Sequence, residues 1–548
     1  MDGQEKRLGM VTGGSLTKGL EVKLDSEVSV EDMAVGRYVA IQGREQRFFG
    51  MITDVALGAL DQRLTITPPD ITDEFIARVL NGTGTYGSLR VVPMLTTTLL
   101  DGPRPAKTVP PHFASVCEAS ETDIELIFGE DDEKHFCIGS PLDMEVKVNL
   151  NYGRLIERSN GIFGKSGTGK TYLTYIFLAS IIQKSSQQSL PREKAVHLIF
   201  DMHSEYGWEG HSEGGSGKVR GLKQLYGSRV AIFALDEQSF RNRGISPDYQ
   251  VQIPLTDIDP EDIEILKDTL NLTDLAVDAA YTLKRRLKKA WITRLLNEDD
   301  AEGGDADIED LVLNGKIHEK SLENLRRGLG RLKDWPFIST TGASGSIKAI
   351  LDYLDRGTNI VMEFGRYGDN LAAYVLVANL ITRRIYDQYR RRVEQAMGDR
   401  AKEPYHLIIT IEEAHKFLSP QVANQTIFGT IAREMRKYKV TLLVVDQRPS
   451  GIDEEVMSQV GTRITCLLDN DKDIESVLMG VSGKGELKSV LSKLETRQQA
   501  LIFGHAVPMP VVIQTREYGS ADSYREFGHV EGEEARAKAA RDIQDMYG

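Results

Sequence analysis

One eight-residue run constrains the chain more than any other: Gly164-Lys165-Ser166-Gly167-Thr168-Gly169-Lys170-Thr171. It has the full G-x-x-x-x-G-K-T spacing of a Walker A loop. A short apolar entry, Gly161-Ile162-Phe163, precedes it, and a helix-like run, Tyr172 to Ile182, follows. Glycines let such a loop wrap a phosphate with backbone N–H groups, and the following helix adds its positive end. The spacing predicts ATP bound by Gly164 through Thr171, with Lys170 on the β- and γ-phosphates and the Thr171 hydroxyl on Mg²⁺.

A second constellation completes a hydrolytic site. Leu407 to Ile411 is a β-branched apolar run that ends in Glu412-Glu413-Ala414-His415. Ligands of an open α/β sheet bind at the carboxyl ends of its strands. Glu412 is therefore expected to hold Mg²⁺, through a coordinated water, and Glu413 to polarise the attacking water. Both are expected to face the glycine loop from an adjacent strand. The usual first acid here is Asp, and this chain has the longer Glu.

Three further segments carry open alternatives. Gln447, after the strand Thr441 to Asp446, is either a polar sensor of the γ-phosphate or water, or a polar strand end. Arg433 and Arg436 are three apart on a helical stretch and share a face. Either one reaches a neighbouring subunit's γ-phosphate, or they form ion pairs with Glu434 or Glu413. Asp201-Met202-His203-Ser204-Glu205-Tyr206 ends another buried run. It either orders Mg²⁺ or the loop, or caps the next helix or turn. His203 has no partner for a zinc site.

Residues 1 to about 150 read as short strands punctuated by Gly, Asp and Pro, a pattern that predicts a small barrel. The runs Leu20–Leu24, Arg37–Ile41, Phe48–Val55 and Leu89–Val92 carry it, with a proline-rich loop over Asp101–Pro111. Ile124–Phe128 and Met144–Val148 read as later strands that finish the barrel or link it onward. From 151 the grammar changes. Buried-strand runs (Val196–Asp201, Val230–Ala234, Asn359–Phe364, Leu407–Glu412, Thr441–Asp446, Arg463–Leu468) alternate with helical stretches, so a parallel sheet covered on both faces is expected. The segment 256–338 has helical patterns only, over Glu261–Leu270, Leu275–Leu296 and Ser321–Leu332. Asn297–Asp307 reads as its flexible tip and Lys284–Lys289 as a solvated helix face. The core resumes over 339–519. The charged stretch 520–548 is either an arm laid on a neighbour or a disordered tail.

The net charge of −14 argues against a general nucleic-acid coat but leaves room for a few basic loops. Cys117, Cys137 and Cys466 are too scattered for a metal or disulfide framework, which suits a reducing cytosol, and a cytoplasmic location is expected. No apolar run is long enough to span a bilayer, so no membrane partner is expected.

Together, GKSGTGKT (164–171), DMHSEY (201–206), IEEAHKF (411–417), REMRKY (433–438) and DQRPSGID (446–453) resemble the HerA family of FtsK/HerA P-loop ATPases. The closing run QALIFG (499–504) with VPMPVV (507–512) and the N-terminal pieces VGRYV (35–39) and GMITDV (50–55) are similar to the family's C-terminal strands and small barrel. The resemblance implies a RecA-like α/β core with an N-terminal barrel and an inserted helical subdomain. It implies a homohexamer with ATP sites between subunits, duplex DNA in the pore, and a trans arginine at Arg433 or Arg436. It also implies a nuclease partner of the NurA type, or another effector in antiphage defence, docked on the barrel face. Two other readings stay open: a nucleotide-gated ring that scaffolds a defence effector, and a ring ATPase of secretion or conjugation.

Overall fold

The computed structural model describes residues 6–529 except 71, 81–82, 99–100, 143, 212–217, 298–304, 341–344, 400–401, 435–436, 482 and 497. Two sheets organise it. The N-terminal one closes into a six-stranded barrel in the order Gly19–Leu24, Arg7–Ser15, Ser115–Glu118, Tyr38–Gln42, Arg47–Ala59, Thr85–Thr97. The last strand returns to the first through Leu20↔Val91. Alternation along these strands turns Leu8, Val22, Val39, Ile41, Ile52, Val91 and Val116 inward to one apolar core.

The large sheet has twelve strands. Eight are mutually parallel, in the order Tyr249–Gln250, Val230–Ala234, Asn359–Glu363, Ala195–Asp201, His406–Glu412, Val440–Asp446, Asn160–Phe163, Thr462–Thr465. Their interior runs are buried without alternation, as a sheet covered on both faces requires. The helix Lys170–Gln187, which follows the glycine loop, is buried over most of its length, and so is Leu371–Gln395. Four antiparallel strands extend the far edge: Gln499–Gly504, Val511–Thr515, His135–Ser140 and Val148–Asn151.

That edge corrects two expectations. The division at residue 150 is too late, because His135–Ser140 and Val148–Asn151 belong to the large sheet, where Ser140 pairs with Gln514 of the C-terminal strand. Ile124–Phe128 is not a strand but the end of a helix, Glu121–Phe128. Ser120 and Asp123 form a reciprocal capping box that starts it, and Ile124, Ile127 and Phe128 bury one helical face. The barrel is tied to the core through Tyr38, whose hydroxyl donates to Pro510 O (2.9 Å) and accepts from Val512 N (3.1 Å).

The inserted subdomain is helical: Pro260–Glu264, Asp274–Leu287, Trp291–Asn297, Ala306–Leu313 and Glu319–Gly330. Ala306–Leu313 begins inside the stretch read as a flexible tip, most of which lies outside the described residues. Its base is closed by the two-residue parallel pair Ile253–Pro254 and Ile338–Ser339. Buried Asp262 accepts from Arg383 (2.5 Å), and Arg384 donates to Asp259 (2.9 Å), which fastens the subdomain to the long core helix. Lys284 and Arg286 of the basic run pair within the subdomain, with Asp259 and Asp307. Of the C-terminal stretch, Ser520–His529 packs on this chain's own core through buried Tyr524 and Phe527, and 530–548 lies outside the described residues. No helix among the described residues is long and apolar enough to cross a membrane.

Candidate active site

The glycine loop leaves the carboxyl end of Asn160–Phe163 and turns into Lys170–Gln187. Its glycines are needed for space and for conformation. A Cβ on Gly164 would sit 2.8 Å from both Cys466 Cβ and Thr168 Oγ1, and Gly167 has φ +77°. The loop is held on two sides. Gly164 N donates to Asp446 O (3.3 Å) and Lys165 N to Leu467 O (3.1 Å), while Lys165 Nζ pairs with Asp469 (2.7 Å). Inside it, Thr168 Oγ1 and Lys170 Nζ both donate to Lys165 O, at 2.8 and 3.4 Å.

Glu412 ends the strand His406–Glu412 at the same sheet edge, and Glu413 follows it directly. The expected adjacency does not hold: this strand is next but one to the loop's strand, with Val440–Asp446 between them. The intervening strand therefore supplies side chains from between loop and carboxylates. Asp446 is one: it accepts from His415 N (2.6 Å), His415 Nδ1 (3.0 Å) and Arg448 N (2.6 Å). Gln447 is the other. Its Nε2 donates to Glu413 Oε1 over 2.9 Å, and His415 Nδ1 stands 3.6 Å from the other oxygen of Glu413. The hydrogen bond to Asp446 holds the imidazole pKa above its usual value, and Glu413 adds to this. Glu413 itself has φ +47°, a left-handed conformation that costs a non-glycine residue roughly 1–2 kcal/mol and is typical of functional turns.

Glu412 is buried. Its Oε1 accepts from Tyr206 OH (3.0 Å) and its Oε2 from Met202 N (3.1 Å). Burial pushes its carboxyl up to about 8, the charge of Glu205 adds to this, and the two hydrogen bonds oppose it. The DMHSEY turn is thus part of the site. Asp201 caps it by accepting from the N–H groups of Glu205, Tyr206 and Gly207 at 2.8, 2.8 and 3.2 Å. Glu205 Oε2 in turn accepts from Thr171 Oγ1 at 3.3 Å. On the next strand, fully buried Glu363 pairs with Arg243 at 2.5 Å.

In the Asp201–Tyr206 run, Asp201 caps the turn and Glu205 accepts from the loop's Thr171. Arg433 lies on the helix Ile427–Glu434 and pairs with Glu455 (3.2 Å), not with Glu434 or Glu413. Arg436 lies outside the described residues. Sequence reasoning missed Asp446, Tyr206 and Asp469 as parts of the site. The first two lie inside runs already singled out, but Asp469 follows a strand with no local signal.

The family described as Helicase HerA, central domain, matches residues 136–385. The chain is 24% identical over 536 residues to a DNA double-strand break repair helicase HerA of Sulfurisphaera tokodaii, covering 93% of each. It is 25% identical over 506 residues to a probable helicase of Methanocaldococcus jannaschii, covering 88% of this chain and 86% of that one. The chain is similar to HerA helicases over most of its length. Among solved structures it is similar to VirB4 of Thermoanaerobacter pseudethanolicus (13% identity, 72% of this chain, 99% of that one, TM-score 0.45). As a P-loop ATPase, it has one departure from the general Walker pattern, the longer Glu412, whose two oxygens accept from the DMHSEY turn.

Proposed function

We propose that this chain is an ATP-dependent motor that moves duplex DNA, working as a hexameric ring with a nuclease or other effector docked on the barrel face. The observation that carries the reading is the continuous line of contacts at one sheet edge, from Thr171 through Glu205 and Tyr206 to Glu412. The relatives named as DNA repair helicases supply the DNA, and the ring and the effector follow from the family resemblance.

The residues present suit ATP with Mg²⁺: a glycine cradle, a lysine and a threonine hydroxyl, faced by acids. Lys170 would exchange the carbonyl of Lys165 for phosphate oxygens, and Gly164 through Thr171 would wrap them with N–H groups. Thr171 and Glu412 would hold Mg²⁺, Glu412 through a coordinated water. The metal, when bound, neutralises charge on the β- and γ-phosphates. Glu413 would draw a proton from the attacking water, with Gln447 fixing one of its oxygens and His415 beside the other. The trans arginine would come from a neighbouring subunit, at Arg433 or Arg436. The ion pair of Arg433 joins a largely exposed Glu455 (67% exposed side chain), so it is weakly held and exchangeable.

The test is displacement of a third strand from a triplex on duplex DNA. ATP-dependent displacement by the wild type, absent in Lys170→Ala, is expected. A Lys170→Ala chain that displaces the strand as fast as the wild type contradicts the motor reading. A Glu413→Gln chain that still assembles and activates its effector would favour a nucleotide-gated scaffold instead.

A further inference from the structure

Glu205 has no role in the Walker spacing, yet it is the acid bonded to the loop's threonine. We infer that Glu205 is a positioning residue for the metal: it takes the hydroxyl hydrogen of Thr171, so that the Thr171 lone pairs face the cation. This rests on the nucleotide reading above.

A threonine hydroxyl has one hydrogen and two lone pairs. In the structure that hydrogen goes to Glu205 Oε2 at 3.3 Å. A ligating threonine needs this arrangement, because a hydrogen pointing at a cation would repel it. Loss of a partner that orients a metal ligand from behind typically costs about 10–100-fold in metal affinity.

The backbone of Glu205 is pinned from two directions. Its N–H donates to Asp201 Oδ1 at 2.8 Å. Its carbonyl accepts from the hydroxyl of Tyr175, which lies on the same helix as Thr171. Ser204, just before it, takes φ +55°, which turns the chain back toward the loop. Tyr175 is itself fixed, stacked on Tyr518 with ring centroids 4.6 Å apart and edge-on to Tyr206 at 5.2 Å.

Glu412 is less free to take this part. Its two oxygens accept from Tyr206 and Met202, which flank Glu205 in the same turn. Glu412 thus holds the turn through Met202 and Tyr206, while Glu205 is the acid that reaches Thr171. A surface turn that only capped itself would need Asp201 alone.

The experiment measures metal and nucleotide separately on the full chain. Mn²⁺ binding to the ADP complex is followed by electron paramagnetic resonance, and fluorescent ADP is titrated in EDTA. Glu205→Leu, which removes the acceptor, is expected to weaken Mn²⁺ binding by about tenfold or more while metal-free ADP affinity stays at the wild-type value. Glu205→Asp, which keeps the charge but draws the carboxylate back by one methylene, is expected to fall between the two. Wild-type Mn²⁺ affinity in Glu205→Leu overturns the inference. So does loss of metal-free ADP binding in both variants, which would make Glu205 a determinant of the loop's shape. Failure of the wild type itself to bind ADP would instead strike the nucleotide reading.

Discussion

The amide of Gln447 holds one oxygen of Glu413 at 2.9 Å. The two residues come from the ends of neighbouring strands, Val440–Asp446 and His406–Glu412. Glu413 is thereby held in a left-handed turn, and the group expected to polarise water is fixed before substrate arrives. Small displacements of a catalytic group are costly, on the order of a hundredfold for an ångström. Gln447→Ala should therefore lower kcat by about a hundredfold and leave ATP affinity unchanged. Steady-state turnover alongside equilibrium nucleotide binding checks this, and an equal loss in both would assign Gln447 to the phosphate instead.

The pair of Arg243 with Glu363 predicts a stability effect. Glu363 is fully buried and Arg243 partly so, at 2.5 Å. Removing one partner of a buried pair leaves an uncompensated charge, at about 3 kcal/mol or more. Arg243→Ala should lower urea stability by roughly that amount, and Arg243→Leu combined with Glu363→Leu should recover much of it. Burial already pushes the Glu363 carboxyl upward, opposed by Arg243. The loss in Arg243→Ala should therefore shrink as pH falls and Glu363 takes up a proton. A pH-independent loss would mean that packing, not charge, is at stake.

His197 sets a second pH dependence. It sits mid-strand in Ala195–Asp201, fully buried, with neither ring nitrogen hydrogen-bonded. Burial pushes its pKa down to about 3. Below about 6.5 the unfolded chain takes up a proton that the folded chain refuses, so stability falls as pH drops through the window between these values. Between pH 7 and pH 5 this one group should remove about 2 kcal/mol. His197→Leu should show a correspondingly smaller decrease in urea midpoint between those two pH values. An identical decrease in both chains would show that His197 is not the group responsible.

Much of the motor core could be read from residues alone, because parallel buried strands are continuous apolar runs. Val196–Asp201, Val230–Ala234 and Leu407–Glu412 each coincide with a strand to within a residue. The far edge could not be read this way. His135–Ser140 joins the large sheet only through Val511–Thr515, a partner hundreds of residues away, and no local pattern encodes that pairing. Ile124–Phe128 is a short apolar run, for which periodicity does not separate strand from helix. Its capping box, Ser120 with Asp123, was the available signal. In the site, the Walker spacing identified the loop and the paired glutamates. It could not show that Glu412 is spent on Tyr206 and Met202, that Gln447 reaches Glu413, or that Arg433 bonds Glu455, since each depends on how strand ends converge in space.

The most direct measurement is ATP turnover by Glu413→Gln, with nucleotide binding followed in the same preparation. If Gly164–Thr171 grips the triphosphate while Glu413 serves the attacking water, the variant binds ATP as the wild type does. Its DNA-stimulated turnover falls by about a hundredfold to ten-thousandfold. A Glu413→Gln chain that binds and hydrolyses ATP at the wild-type rate contradicts the account at its centre.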